Sequence, residues 1–144
     1  MAANTFLIGT TASSDPDDWS VLATLLSSSS SDVSVARALD WGFEPYSKYV
    51  KMSSGDMRGL GYPVVTWRFA ALRIGQRENL RDFVPDVTSD VYIRTQTNET
   101  VSGVAVWKDY LCKATWRQGA EVIETGLGNV RMVEIKFTNC VDVT

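Results

Sequence analysis

Two pairs of carboxylates are the residues of this sequence whose types and spacing could support acid-base chemistry. Asp86 lies four positions before Asp90, and Glu121 lies three positions before Glu124. Two neighbouring carboxyl groups can divide the roles of general acid and general base, as they do in glycoside hydrolysis. Both pairs lie among turn-forming residues, where solvated acids are common. We therefore expect neither pair to form a catalytic site.

The other side-chain chemistry of the chain is restricted. The sequence contains no histidine, which removes Ser-His and Cys-His pairs, histidine metal sites and the commonest proton carrier near neutral pH. Its two cysteines, Cys112 and Cys140, are too few for a four-cysteine zinc site. They either pair as a disulfide, if neighbouring strands bring them together, or stay reduced. We predict no catalytic residue, no metal site and no cofactor.

Charge and hydropathy argue against two further classes of protein. The 144 residues carry a formal charge of −3, so the chain lacks the basic surface with which sequence-specific readers grip duplex DNA. No apolar stretch reaches the ~20 residues that span a bilayer, and we expect no membrane anchor. The length and the 44% share of hydrophobic residues favour a single compact core.

The first 32 residues differ in character from residues 33–144. They contain no lysine or arginine, and their acids are Asp15, Asp17, Asp18 and Asp32. An Asp-Pro pair followed by two acids is typical of a helix start, and the apolar spacing predicts a short helix over Pro16–Leu26. The serines Ser27–Ser31 predict a flexible connector. We interpret residues 1–32 as an N-terminal arm and 33–144 as one β-sandwich domain.

The apolar side of that predicted helix consists of Trp19, Leu22 and Leu26. Such a stripe can dock on another subunit while the acids stay in water. The alternative is that the segment folds back and completes the core of its own domain. Both interpretations bury Trp19, and the sequence leaves them open.

Beyond the serines, apolar residues alternate with a period of two, which is typical of strands. The predicted strands are Val33–Val35, Tyr46–Met52, Val64–Leu72, Val91–Gln96, Val101–Trp107, Leu111–Trp116 and Val130–Phe137. Turn residues separate several of them, at Thr97–Thr100 and Gly126–Asn129. The segment Gln76–Val84 predicts a helix whose apolar side, with Leu80 and Phe83, lies on a sheet. The fold class is therefore mainly β, an antiparallel sandwich or partly open barrel with one packed helix.

A glycine-rich segment, Ser53–Pro63, interrupts the strands. It is too long for a two-residue hairpin turn, so we predict a projecting loop. Its glycines allow it to be ordered by a neighbouring subunit, with Met57, Leu60 and Tyr62 as apolar contacts.

Aromatic residues leave a second function open. Trp67 and Phe69 share a strand face with other apolar residues, and we expect them in the core. Five aromatic residues are less clearly inward, and they are Trp41, Tyr46, Tyr49, Trp107 and Trp116. These side chains could stack on sugars or form a subunit interface. A carbohydrate-binding β-sandwich module is therefore an alternative from a different class.

Three consecutive features carry a resemblance to a known group of proteins. They are a glycine-rich approach to a tryptophan-containing strand, Met57–Phe69, a helix with Leu and Phe, Gln76–Phe83, and a strand with Tyr-Ile-Arg-Thr, Val91–Asn98. In this order they resemble small virion proteins encoded in the tail-gene regions of tailed bacteriophages, over roughly Tyr46 to Val143. The predicted architecture is similar to that of the tail-tube family, in which a β-sandwich flanked by one helix forms hexameric rings.

The resemblance implies a non-enzymatic structural protein of the virion tail, assembled in the host cytoplasm. It implies a tail tube subunit whose rings stack around a lumen. The implied partners are further copies of the chain, other tail proteins and viral DNA that passes without sequence recognition. The inter-ring loop would contain Gly55, Met57, Arg58, Gly59, Leu60, Gly61 and Tyr62. The helix over Pro16–Leu26 is not a feature of the simplest tube subunits, so a distal-tail, baseplate or neck protein on the same fold is an alternative.

Overall fold

The computed structural model describes residues 5–22, 39–116, 121–124 and 129–144. Its strands are β1 (Leu7–Thr10), β2 (Ser20–Val21), β3 (Leu39–Glu44), β4 (Lys48–Lys51), β5 (Met57–Leu60), β6 (Val64–Arg73), β7 (Thr88–Val101), β8 (Val104–Trp116), β9 (Val122–Glu124) and β10 (Asn129–Asp142). A 3-10 turn covers Pro16–Asp18, and helix α1 covers Ile74–Arg81. The predicted strand Val33–Val35, the serine connector Ser27–Ser31 and the turn residues 126–128 lie outside the described residues.

The strands form one main antiparallel sheet in the order β2-β1-β7-β8-β10-β6-β3, with β9 paired to β10. This sheet is curled. The evidence is that Phe6, beside β1, packs edge-on against Trp67 of β6, with ring centroids 5.7 Å apart. Trp67 Nε1 also lies 3.4 Å from Thr95 Oγ1 of β7. Contacts between strands that are not neighbours enclose the apolar side chains. The predicted fold class, mainly β and antiparallel with a packed helix, is confirmed.

The core forms where β6 and α1 meet. Val65, Trp67 and Phe69 alternate along β6 and are at most 1% exposed. Leu80 of α1 belongs to the same buried cluster, and Phe83 just beyond the helix packs against it. The prediction that this strand and this helix share one core is confirmed.

The predicted turn at Thr97–Thr100 is wrong. β7 continues through this segment, and its pairing with β8 shifts register there, as at a β-bulge. The chain reverses instead at Ser102 and Gly103, whose φ angles of 52° and 79° are both positive, as a two-residue hairpin turn requires. β8 therefore contains residues 104–107 of the predicted strand Val101–Trp107 and all of the predicted strand Leu111–Trp116, whereas Val101 ends β7.

The described part of the N-terminal segment belongs to the main sheet, through β1 and β2. Asp15 caps the 3-10 turn as predicted, since its carboxylate accepts a hydrogen bond from the Asp17 N–H at 3.0 Å. The turn ends after three residues, because the chain is extended at Trp19 and enters β2. The helix predicted over Pro16–Leu26 is thus corrected for residues 16–21, while 23–26 lie outside the described part.

Trp19 lies directly over Gly9 of β1. A Cβ atom on Gly9 would overlap the Trp19 ring, which stacks on Tyr92 with centroids 5.2 Å apart. We expect Gly9→Ala to displace the ring and lower the free energy of unfolding by about 1–3 kcal/mol, measured by urea denaturation with tryptophan fluorescence. Gly42→Ala is the matched control, because a Cβ there would meet Thr66 Cβ at an ordinary 3.9 Å. Equal losses of unfolding free energy in both variants would contradict the explanation that glycine is needed at position 9 to make room for the Trp19 ring.

Candidate assembly surface

The segment Ser53–Pro63, predicted as a loop, contains the second strand of a β-hairpin. β5 pairs antiparallel with β4 along its whole length, and the two form a sheet of their own. The chain turns between them over residues 52–56, where the Met52 N–H donates to the Asp56 carbonyl oxygen at 2.6 Å. The loop prediction is therefore corrected to a hairpin, the β4–β5 hairpin, that is separate from the main sheet.

Gly59 interrupts the side-chain alternation of β5 and hides this strand from a sequence pattern. The ring of Tyr46 lies across it, so that a Cβ atom on Gly59 would overlap the ring. The same ring packs edge-on to Tyr49, with centroids 6.0 Å apart, and Tyr49 is the residue opposite Gly59 in the pairing register. The glycine allows a close aromatic approach that holds the base of the hairpin together.

Large apolar side chains of the hairpin and its flanks are exposed. Met57 is 62% exposed and Tyr62 is 55% exposed. The whole set, here called the hairpin patch, is Tyr46, Tyr49, Met52, Met57, Leu60 and Tyr62. Exposed apolar surface on one element marks interaction sites in globular proteins. The three apolar contacts predicted from the sequence all belong to this patch.

Basic residues are interspersed with the hairpin patch. They are Lys48, Lys51 and Arg58, and all three are exposed. The acids of the N-terminal segment, around the 3-10 turn, are also exposed, and they are Asp15, Asp17 and Asp18. The chain thus presents an apolar and basic hairpin together with a separate acidic turn.

Two hydrogen bonds restrain the hairpin. The Tyr49 hydroxyl donates to the Glu44 carboxylate at the end of β3, and this bond raises the pKa of Tyr49. The Ser47 hydroxyl donates to the Leu60 carbonyl oxygen at 3.3 Å. The hairpin is therefore positioned relative to the main sheet at its base.

The main sheet has open edges in the part of the chain that the structure describes. There, β3 pairs with β6 alone, and β2 pairs with β1 alone. Unpaired strand edges present rows of N–H and C=O groups that can pair with another chain. These edges could join neighbouring subunits.

The structure places two of the three predicted N-terminal docking residues inside their own domain. Trp19 is 6% exposed and donates from Nε1 to the Ser13 carbonyl oxygen at 3.1 Å. Leu22 belongs to the buried core, and its N–H donates to the Phe6 carbonyl oxygen at 2.9 Å. This arrangement corresponds to the fold-back alternative, and Leu26 lies outside the described residues.

Two of the carboxylates considered for acid-base chemistry, Glu121 and Asp90, have ionic partners. Glu121 is buried, 2.7 Å from Arg77 Nε, and it also accepts a hydrogen bond from Trp116 Nε1. Asp90 lies 3.0 Å from Lys113 Nζ on the neighbouring strand. Asp86 is exposed in the connection before β7. The two members of the Asp86 and Asp90 pair therefore have different surroundings.

The two cysteines are buried and do not form a disulfide. Cys112 lies on β8 and Cys140 on the neighbouring strand β10. A hydrogen bond between the thiols, together with burial, raises the pKa of the Cys112 thiol. Cys112 is therefore a protonated thiol within the core.

A groove of about 330 Å³ lies between the base of the hairpin and the main sheet. Residues from separate strands and connections line it, among them Phe43, Tyr46, Tyr62, Glu99, Lys108, Tyr110 and Asp142. Sequence reasoning considered Tyr46 as a surface aromatic and Tyr62 as a loop contact, and it missed the others. No local spacing could reveal them, because strand pairing brings Tyr110 and Asp142 together and the curl of the sheet brings Phe43 against Tyr110.

No three Asp, Glu or Cys side chains within 5–22, 39–116, 121–124 and 129–144 are grouped so that they could hold a metal ion. None of the helices in the described part of the chain has the length and apolar character needed to cross a membrane. Comparison of the sequence with protein-family models and curated proteins, and of the structure with solved structures, finds no match.

Proposed function

We propose that this chain is a non-enzymatic structural protein of a phage tail, a tail tube subunit that assembles into stacked hexameric rings around a DNA-conducting lumen. The observation that carries the proposal is the hairpin patch, an apolar surface on an element outside the main sheet. Exposed apolar surface of this kind is typical of protein contacts. In the assembly, the hairpin of one copy packs on the next ring and the patch leaves water.

The open edges of the main sheet support ring closure. An exposed strand edge risks uncontrolled pairing, and closing it against an identical neighbour removes the risk. Joining the β3 edge of one copy to the opposite sheet edge of the next is a head-to-tail contact, and such contacts produce rings when the rotation closes.

The distribution of charge supports contacts between copies. The basic residues of the hairpin and the acids around the 3-10 turn are opposite in sign on separate elements, so identical chains can meet with complementary charge. The chain as a whole carries −3, and an acidic wall would not retain DNA phosphates during passage.

Placing a charge on the hairpin patch tests the proposal. We expect the purified wild-type protein to form rings and tubes in a concentration-dependent manner, seen by sedimentation velocity and negative-stain electron microscopy. Met57→Glu should stay monomeric with an unchanged melting temperature, because Met57 is 62% exposed and lies outside the core. Val87→Glu is the matched control, since Val87 is 67% exposed but lies before β7, away from the hairpin.

The outcomes separate the candidate functions. A wild-type protein that remains monomeric at every concentration contradicts self-assembly and favours a binding module. Assembly that survives Met57→Glu contradicts the hairpin as the contact. Single rings that never stack favour a distal-tail, baseplate or neck protein.

A further inference from the structure

Three aromatic side chains form the walls of the groove at the base of the hairpin. They are Phe43 at the end of β3, Tyr46 before β4 and Tyr62 after β5. One face of Tyr46 is fixed against Gly59, so this wall is positioned before any ligand arrives. Aromatic rings in a concave site provide flat apolar faces on which the C–H face of a ring-shaped ligand can stack.

Tyr110 contributes a polar group to the same groove. Its side chain is 3% exposed and packs against Phe43, with ring centroids 6.2 Å apart. In the described part of the chain its hydroxyl has no hydrogen-bond partner, yet the oxygen is not sealed from solvent. Burial raises the pKa of Tyr110, so the group stays a neutral hydroxyl that both donates and accepts. A hydroxyl with this exposure on a residue that lines the groove is available to a ligand.

The remaining polar groups favour a neutral ligand over an anion. Lys108 Nζ lies 3.5 Å from a Glu99 oxygen and 3.9 Å from an Asp142 oxygen. Two carboxylates around one ammonium leave a net negative charge, which disfavours phosphate or carboxylate ligands. Together these groups offer donors and acceptors to the hydroxyl groups of a polyol.

From this combination we infer that the groove is a binding site for a neutral sugar, one pyranose unit of a glycan. The aromatic walls would stack on the ring while Tyr110, Glu99 and Asp142 bond its hydroxyl groups. The volume of about 330 Å³ lies at the small end of the range for small-molecule sites. The site shares Tyr46 and Tyr62 with the hairpin patch, whereas Met57 at the tip of the hairpin does not line it. Its sugar ligand does not depend on the proposed function, because the groove is complete within one copy of the chain.

Saturation-transfer difference NMR on the full-length protein tests the inference, with glucose, galactose, mannose and N-acetylglucosamine as probes. We expect at least one sugar to bind in the millimolar range. Tyr110→Phe should weaken that binding about fivefold, the effect of one neutral hydrogen bond, without changing the melting temperature. Tyr92→Phe is the matched control, because it removes a hydroxyl outside the groove and should leave binding unchanged.

Three results would overturn the inference. They are the absence of binding of every probe to both the wild type and the monomeric Met57→Glu variant, equal binding by Tyr110→Phe and the wild type, and a loss of binding in Tyr92→Phe as large as that in Tyr110→Phe. Sedimentation reports on assembly separately, so failure of sugar binding is distinguishable from failure of the tail-tube proposal.

Discussion

Asp109→Ala is expected to lower the free energy of unfolding by about 3–5 kcal/mol, the usual effect of breaking a buried ion pair. Asp109 and Arg94 lie opposite each other on β7 and β8. The contact is bidentate, with Nε to Oδ1 at 2.6 Å and Nη2 to Oδ2 at 3.0 Å. The two side chains are only 10% and 7% exposed. Removing the carboxylate takes this bidentate partner away from a buried guanidinium.

The same two strands carry a matched control. Asp90 and Lys113 are also direct cross-strand partners on β7 and β8, 3.0 Å apart, but their side chains are 56% and 52% exposed. Asp90→Ala should therefore cost less than about 1 kcal/mol, as exposed pairs do. Urea denaturation in the Met57→Glu background measures both, because association would otherwise add to the apparent stability.

A double variant that lacks both charges separates the effect of the ion pair from the effect of packing these two side chains. Arg94→Met with Asp109→Leu should recover most of the lost stability, since replacing both ions with apolar side chains is often neutral or stabilising. A single-variant loss below about 1 kcal/mol would contradict the buried geometry. A double variant as unstable as Asp109→Ala would show that the packing of this strand pair, and not the broken ion pair, causes most of the loss of stability.

Elements dominated by local apolar periodicity were predictable from the sequence. The strand predicted over Val64–Leu72 is β6, Val64–Arg73, because alternation of large apolar residues on one buried face admits a single register. The helix predicted over Gln76–Val84 is α1, Ile74–Arg81. Burial of Leu80 against β6 reinforces what its helical spacing already indicates.

The errors arise where contacts between distant residues outweigh local preference. The predicted cap before Pro16 is correct. However, the Trp19 ring packs on Tyr92 and over Gly9 in the sheet, and the chain is extended at Trp19 instead of helical. Residues 97–100 favour a turn locally, yet pairing with β8 resumes at Thr100 after a register shift, and the strand continues. Gly59 looks like a strand breaker because the ring that covers it lies thirteen positions earlier in the sequence.

The hairpin patch and the groove also differ in how far they could be predicted from the sequence. The exposure of Met57, Leu60 and Tyr62 could be predicted, since large apolar residues beside glycines in a polar segment have nothing local to pack on. The groove could not, because Phe43, Tyr110 and Asp142 come from three strands. Tyr110 and Asp142 are cross-strand partners on β8 and β10, and the curl of the main sheet brings Phe43 of β3 against Tyr110.

Trp67→Ala is expected to produce a loss as large as that of Asp109→Ala, about 3–5 kcal/mol. Trp67 is fully buried and packs against Phe137, with ring centroids 4.8 Å apart, and against Phe6. Removing the indole would leave a cavity between β6 and β7, which the paired strands cannot close without moving their backbones. The variant is expected to unfold at a much lower urea concentration.

Trp107→Ala is the matched control for this cavity. Trp107 also contacts Phe6, with ring centroids 4.8 Å apart, but its side chain is only partly buried. Solvent can fill the space that Trp107 leaves, so the loss should be clearly smaller than that for Trp67. Urea denaturation of the two variants in the Met57→Glu background gives the comparison. A loss below about 1 kcal/mol for Trp67→Ala, or one no larger than that for Trp107→Ala, would contradict an enclosed core between the curled halves of the sheet. A cavity of the size of an indole ring lowers the free energy of unfolding by more than that.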